Sequence, residues 1–289
     1  MTEFKADFLE IEPRELVHHL LRESGQLESN SVDPEMVLRF LELQYLRFDF
    51  DNELFYQPKQ TFTASRPRAL ISFPERVVAV DSGLGINRTR FSILHEIGHY
   101  VLPHHHNALF ICEEAGLWRP SRLIHEKEAN EFAADLLFMG DRFSSQSNST
   151  KISAASIKEL ATKYKASLLA TARRVVEKSF CPYMLVVFEK IKSDSTHDID
   201  VDNNWSVQYC VASPLFKTRY GNAVSGNAPQ EVVEKITETG RDFSNSIIQM
   251  FDISFPGEEN PQRFRAEFSC NAYNILCLLS PVNKKLVDS

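Results

Sequence analysis

The chain has 289 residues, 43% of them hydrophobic and 25% charged, with a formal net charge of −7; that is enough apolar side chain for more than one core and too much for disorder. No apolar run approaches the roughly 18 residues that a membrane helix needs, and the acidic start MTEFKADFLEIEPRE lacks the basic-then-hydrophobic order of a secretory signal. The negative balance offers no basic footprint for duplex nucleic acid, and the cysteines Cys112, Cys181, Cys210, Cys270 and Cys277 are scattered without a CxxC pair, as expected of reduced thiols in a cytoplasmic protein.

In chain order, PRELVHHLLR (13–22) repeats apolar residues at helical spacing behind a first-turn proline, and a second helix is expected over 34–43. His18 and His19 are neighbours on the first helix, so their rings diverge. ALISF (69–73) and VVAVD (77–81) flank Pro74-Glu75-Arg76 and read as a hairpin with a usable edge. SGLGINRTR (82–90) reads as a loop, after which Phe91, Leu94, Ile97 and Val101 mark a helix that Pro103 ends at Leu102.

HEKEANEFAADLLF (125–138) is a further helix, stopped by Gly140, and the polar stretch 140–150 is the expected domain boundary. Short helices follow at about 152–164 and 167–179, the second capped by Ser167. Strands are expected at 183–189, 205–212, 264–270 and 273–279, with a helix over 229–240. The sequons at Asn87 and Asn148 have no secretion route and are expected to be inert.

The stretch FSILHEIGHYVLPHHH (91–106) gathers five histidines around one glutamate. Residues four apart share a helix face, so His95 and His99 present two imidazoles to one point, while Glu96 lies about 100° around the helix, beside that point rather than on it. This HExxH spacing is what a zinc hydrolase uses: two ligands for the ion, and a carboxylate free to act as general base on water whose pKa zinc lowers to about 7. With 9 histidines and 39 acidic residues in the chain, chance supplies fewer than about 0.04 such matches.

Catalytic zinc takes three protein ligands and leaves a fourth position open. His105 has the spacing of HExxHxxGxxH, but Leu102-Pro103 replaces the glycine that would let the chain turn back. On helix 125–138, Glu126, Ala129, Asn130, Ala133 and Leu137 form a stripe of mainly small residues suited to close packing on the zinc helix. Glu126 is then the carboxylate positioned to enter a buried site, with Asn130 one turn later as a supporting contact; His125 is an alternative. Glu128, Glu131 and Asp135 read as a solvated acidic stripe, and His104 to His106 as a solvated loop. Tyr100 and His104 are near enough in sequence to be considered for polarising a carbonyl, but helical direction favours neither.

FSILHEIGHYVL, followed 27 positions after His99 by EKEANEFAADLLF, resembles the ImmA/IrrE zinc metallopeptidases over roughly residues 10–140. The resemblance implies one Zn2+ (or Mn2+) on His95, His99 and Glu126, with Glu96 as catalytic base. Phe138-Met139-Gly140 departs from the Met-Pro that commonly ends this helix in the family. It further implies cleavage of a helix-turn-helix repressor that switches on stress-response or mobile-element genes, with the protein substrate lying as an added strand along VVAVD.

The expected molecule is α+β: a mainly helical, zincin-like metallopeptidase domain with a small β-sheet (1–140), a helix-turn-helix-like linker (141–180) and a C-terminal α/β domain (181–289), GAF-like by domain order. No membrane partner is expected. DNA binding through Arg173, Arg174 and Lys178 is not expected either, three charges at one helix end being more simply a solvated face. A non-catalytic zinc protein acting through its C-terminal domain is the competing expectation.

Overall fold

The computed structural model describes residues 11–50, 68–105, 119–190, 205–221, 228–239, 246–255, 260–271 and 273–282. They are mixed α and β and fall into two compact units, one of residues 1–143 with 163–165, the other of 144–162 with 166–289.

The first unit opens with α1 (Pro13–Glu23), which buries Leu16, Val17, Leu20 and Leu21 along one stripe, and α2 (Pro34–Phe40), whose Asp33 cap accepts from the Glu35 amide at 3.0 Å. Strands β1 (Gln44–Phe48), β2 (Ala69–Ser72) and β3 (Val77–Asp81) form a mixed sheet in the order β1-β3-β2, with β1 parallel and β2 antiparallel to β3. VVAVD is therefore the central strand and cannot accept a substrate strand as expected, because both of its ladders are paired. Among the described residues, the outer sides of β1 and β2 are the ones a further strand would join.

Helix α3 (Ile86–Val101) starts well before Phe91, within the stretch 82–90 that reads as a loop. Its first turns are largely exposed, so they carry no apolar signal. It ends as expected: Leu102 is extended at ψ 109 before Pro103. Helix α4 (Arg119–Leu137) crosses α3 at Gly98, where an added Cβ would lie 3.3 Å from the Ala129 Cα, the Ala129 carbonyl oxygen and Phe132. The glycine and the buried Ala129 and Ala133 let the two backbones approach closely.

The stretch 140–150, expected as the domain boundary, contains helix α5 (Asp141–Asn148). Two residues with positive φ, Met139 and Gly140, separate it from α4.

In the second unit, α6 (Ala154–Tyr164) and α7 (Leu168–Glu177) lead to the sheet of β4 (Met184–Lys190), β5 (Trp205–Ala212), β6 (Ile247–Ile253), β7 (Gln262–Cys270) and β8 (Asn274–Pro281). Its order is β5-β4-β8-β7-β6 and every neighbour is antiparallel. Met184, Val186, Phe188, Phe264, Phe268 and Cys277 face a core shared with α8 (Pro214–Tyr220) and α9 (Gln230–Thr239). Leu185, Leu276 and Leu278 face Ala154 and Ile157 of α6 and Leu168 and Ala172 of α7. Covered on both faces, β4 reads as an unbroken apolar run instead of an alternating one.

Two of the three basic residues singled out on the helix-turn-helix-like pair are engaged within the protein. Arg174 is buried, while Arg173 binds Glu177 at 2.7 Å and lies over the Tyr209 ring. No helix among the described residues is long and apolar enough to cross a membrane.

Candidate metal centre

Spacing on α3 and the close crossing at Gly98 together set the site. His95 and His99 stand one turn apart with ring centroids 4.7 Å from each other, and their Nε2 atoms converge to 3.1 Å. Glu126, near the middle of α4, reaches in from the other side: Oε2 is 3.3 Å from His95 Nε2 and Oε1 is 3.6 Å from His99 Nε2. A tetrahedral ion with bonds of about 2.0–2.1 Å sets its ligand atoms about 3.3–3.4 Å apart. Glu126 turns a different oxygen to each ring, so one ion would need a small rotation to bring a single oxygen to its corner; taken one ligand atom per residue, the trio lies within 4.8 Å, close enough to gather on one ion of zinc's size.

The surroundings favour the ligand states such an ion needs. The Asn130 carbonyl oxygen lies 3.1 Å from His95 Nδ1, so Nδ1 donates and the Nε2 lone pair points at the site. Hydrogen bonds to His95 and His99 hold the Glu126 carboxyl well below the usual carboxylate range, against the opposing effect of its partial burial. Burial alone would lower the His95 pKa; the Glu126 hydrogen bond and the charges of Glu96 and Glu126 outweigh it and raise it.

Glu96 is 6% exposed. Burial pushes its pKa up to about 6 even though His95 and His99 act in the opposite direction. Burial thus works on Glu96 in the direction a general base needs. Tyr100 is turned elsewhere, stacked on Phe73 with centroids 6.1 Å apart.

His105 does not join this trio. It is 1% exposed and meets His99 on the opposite ring nitrogen, Nδ1 to Nδ1 at 2.9 Å. Its Nε2 lies 3.1 Å from Glu128 Oε2, which His104 Nε2 also approaches, at 2.8 Å. His125 stacks against both rings, with centroids 5.6 Å from His104 and 4.7 Å from His105. Burial pushes the His105 pKa down to about 4 despite the Glu128 hydrogen bond.

The structure thus corrects the expectation that His105 is solvated, while Glu128, its side chain 40% exposed, keeps solvent and holds two imidazoles as well. The signal in the sequence is the pairing of HHH (104–106) with His125 and Glu128, whose spacing of three residues puts them on one face of α4.

Residues 49–176 match the family model described as the IrrE N-terminal-like domain, Peptidase M78. None of the curated proteins compared with the chain matches it. Among solved structures, one described as a Mycobacterium tuberculosis transcriptional regulator aligns with a TM-score of 0.57 and 12% identity, covering 93% of this chain and 75% of that one. That likeness is one of fold. The motif pair on α3 and α4 lies inside the segment, residues 49–176, that is similar to this peptidase domain family.

Proposed function

We propose that the chain is a zinc-dependent endopeptidase that acts inside the cell on a helix-turn-helix transcriptional repressor. The observation that carries this reading is the convergence of His95, His99 and Glu126, whose ligand atoms, one from each residue, lie within 4.8 Å of one another and make the three-ligand set that leaves a catalytic zinc its fourth corner. A structural zinc site would close that corner with a fourth protein ligand.

His95, His99 and Glu126 would hold the ion. When bound, it supplies Lewis acidity for the scissile carbonyl and lowers the pKa of water in the site to about 7. Asn130 keeps the His95 ring turned inward. Glu96, buried beside the ligands but outside the trio, takes the proton from the attacking water and returns it to the leaving amine. The family's metallopeptidase character supports the reaction class. The repressor as substrate rests on the sequence resemblance, and a structural neighbour that is a transcriptional regulator is in keeping with a role in transcription.

The second unit has its own core and supplies none of these residues, which suits a GAF-like regulatory part.

The test is Glu96→Gln. The variant keeps the shape of the side chain and removes the base, so it should bind metal like the unaltered chain while cleavage of candidate repressors encoded near its gene falls by about 10²–10⁴-fold. A variant that retains metal and switches on the same genes as the unaltered chain would favour a non-catalytic zinc regulator. Such a protein would act by binding its partner.

A further inference from the structure

We propose that His104, His105, His125 and Glu128 form a second metal site for a divalent transition ion, next to the first and linked to it through His99. Each of these four residues offers one ligand atom, and all four atoms lie within 4.8 Å of one another. The chain assembles them from two directions. Pro103 ends α3, and the turn that follows, closed by the His105 amide on the Leu102 carbonyl at 3.1 Å, carries His104 and His105. His125 and Glu128 come from a single face of α4.

The donors already converge. Glu128 Oε2 is 2.8 Å from His104 Nε2 and 3.1 Å from His105 Nε2. Contraction of the remaining gaps to a tetrahedral edge of about 3.3–3.4 Å needs only rotamer adjustment of His125 and the half-exposed His104. Three imidazoles and a carboxylate suit zinc, cobalt, nickel or copper, and poorly suit calcium or magnesium, which prefer oxygen. Four protein ligands close the coordination sphere, so this ion would pin the turn after α3 to α4 without doing chemistry.

The link to the first site follows from the ring nitrogens, and this part of the proposal rests on the reading of His99 as a ligand there. His99 and His105 face each other through Nδ1 at 2.9 Å, which leaves room for one proton between them. When His99 gives Nε2 to the first ion, its Nδ1 carries the proton and donates to His105. His105 then keeps its own proton on Nε2 and donates to Glu128, an extended form of the carboxylate–histidine support that metal-binding imidazoles use. For His105 to ligate through Nε2, its proton must move to Nδ1, where it meets the N–H of His99. The two ions therefore oppose each other, and the opposition is reciprocal.

The experiment uses the full chain, stripped with a chelator and titrated with Co2+, read by visible absorption, calorimetry and elemental analysis. Two equivalents are expected, the second weaker. His125→Ala should bind one, with the affinity of the unaltered chain's first equivalent; His95→Ala should lose only the first and bind the remaining ion about fivefold or more tighter than the second equivalent of the unaltered chain. Glu128→Gln provides the same test as His125→Ala in a nearly isosteric form, with circular dichroism to check folding.

A single equivalent in the unaltered chain, abolished by His95→Ala and untouched by His125→Ala, would overturn the second site and leave the first standing. A single equivalent abolished by His125→Ala alone would support the second site and remove the first. Two equivalents whose affinities do not respond to each other would overturn the link.

Discussion

Asn130 holds the ring of a proposed metal ligand from outside the trio. Its carbonyl oxygen takes the His95 Nδ1 proton at 3.1 Å and so selects the tautomer with a free Nε2. Asn130→Ala leaves the three ligands in place and releases that choice, so metal affinity should fall by about 10-fold to 100-fold in competition with a chromophoric chelator. Asn130→Asp supplies a stronger acceptor and should retain affinity or raise it. Equal affinity in all three proteins would mean that helix packing alone orients His95.

Glu126→Gln goes further, since it removes a ligand charge. It should lose most of the metal at concentrations where the Glu96→Gln variant remains loaded, and that contrast separates the ligand carboxylate from the proposed base.

At the level of the elements, everything depends on α3 and α4 crossing closely enough for Glu126 to reach two imidazoles on the other helix. Gly98 permits that approach. An alanine there would gain about 1 kcal/mol of helix propensity. Its Cβ, however, would sit 3.3 Å from Ala129 backbone atoms in a helix that cannot yield at one residue, and overpacking of this kind costs about 1–3 kcal/mol. The clash should win, so Gly98→Ala is expected to lower stability by about 1 kcal/mol in urea unfolding and to weaken metal binding by displacing Glu126. A more stable variant with full affinity would show that the crossing has slack.

The same elements show what is legible in the sequence. HExxH can be read because ligand spacing on a helix is local, and Glu126 because a stripe of small residues declares a close contact on its face. Glu128 cannot be read from α4 alone: its partners, His104 and His105, arrive from beyond Pro103, and the acidic stripe taken by itself looks solvated.

β2 and β3 lie within a residue of their expected bounds, but which of them is at the edge depends on β1, a five-residue strand 21 residues upstream of β2. Helix α5, DRFSSQSN, consists largely of poor helix formers around a single buried aromatic, Phe143, and tertiary packing overrides its propensity. Strand β6 escapes a reading by pattern because Ile248 and Met250 are exposed, so its sequence lacks a polar face.

For the molecule as a whole, the division into two units separates the proposed chemistry from most of the remaining core. All seven residues of both metal groups belong to the first unit, and the core of β4, β7, β8, α8 and α9 lies in the second. An ion that binds only the folded first unit stabilises it by about 2.7 kcal/mol when free metal is 100 times its dissociation constant. Chelation should therefore speed amide exchange in α3, α4 and the sheet on which α3 packs. Peptides from β4, β7 and β8 should exchange at their former rates. Hydrogen exchange read by mass spectrometry, with and without chelator, resolves both regions in one sample. If protection falls equally in both, the two units unfold as one cooperative body, and metal binding would then bear on the second unit's stability as directly as on the first's.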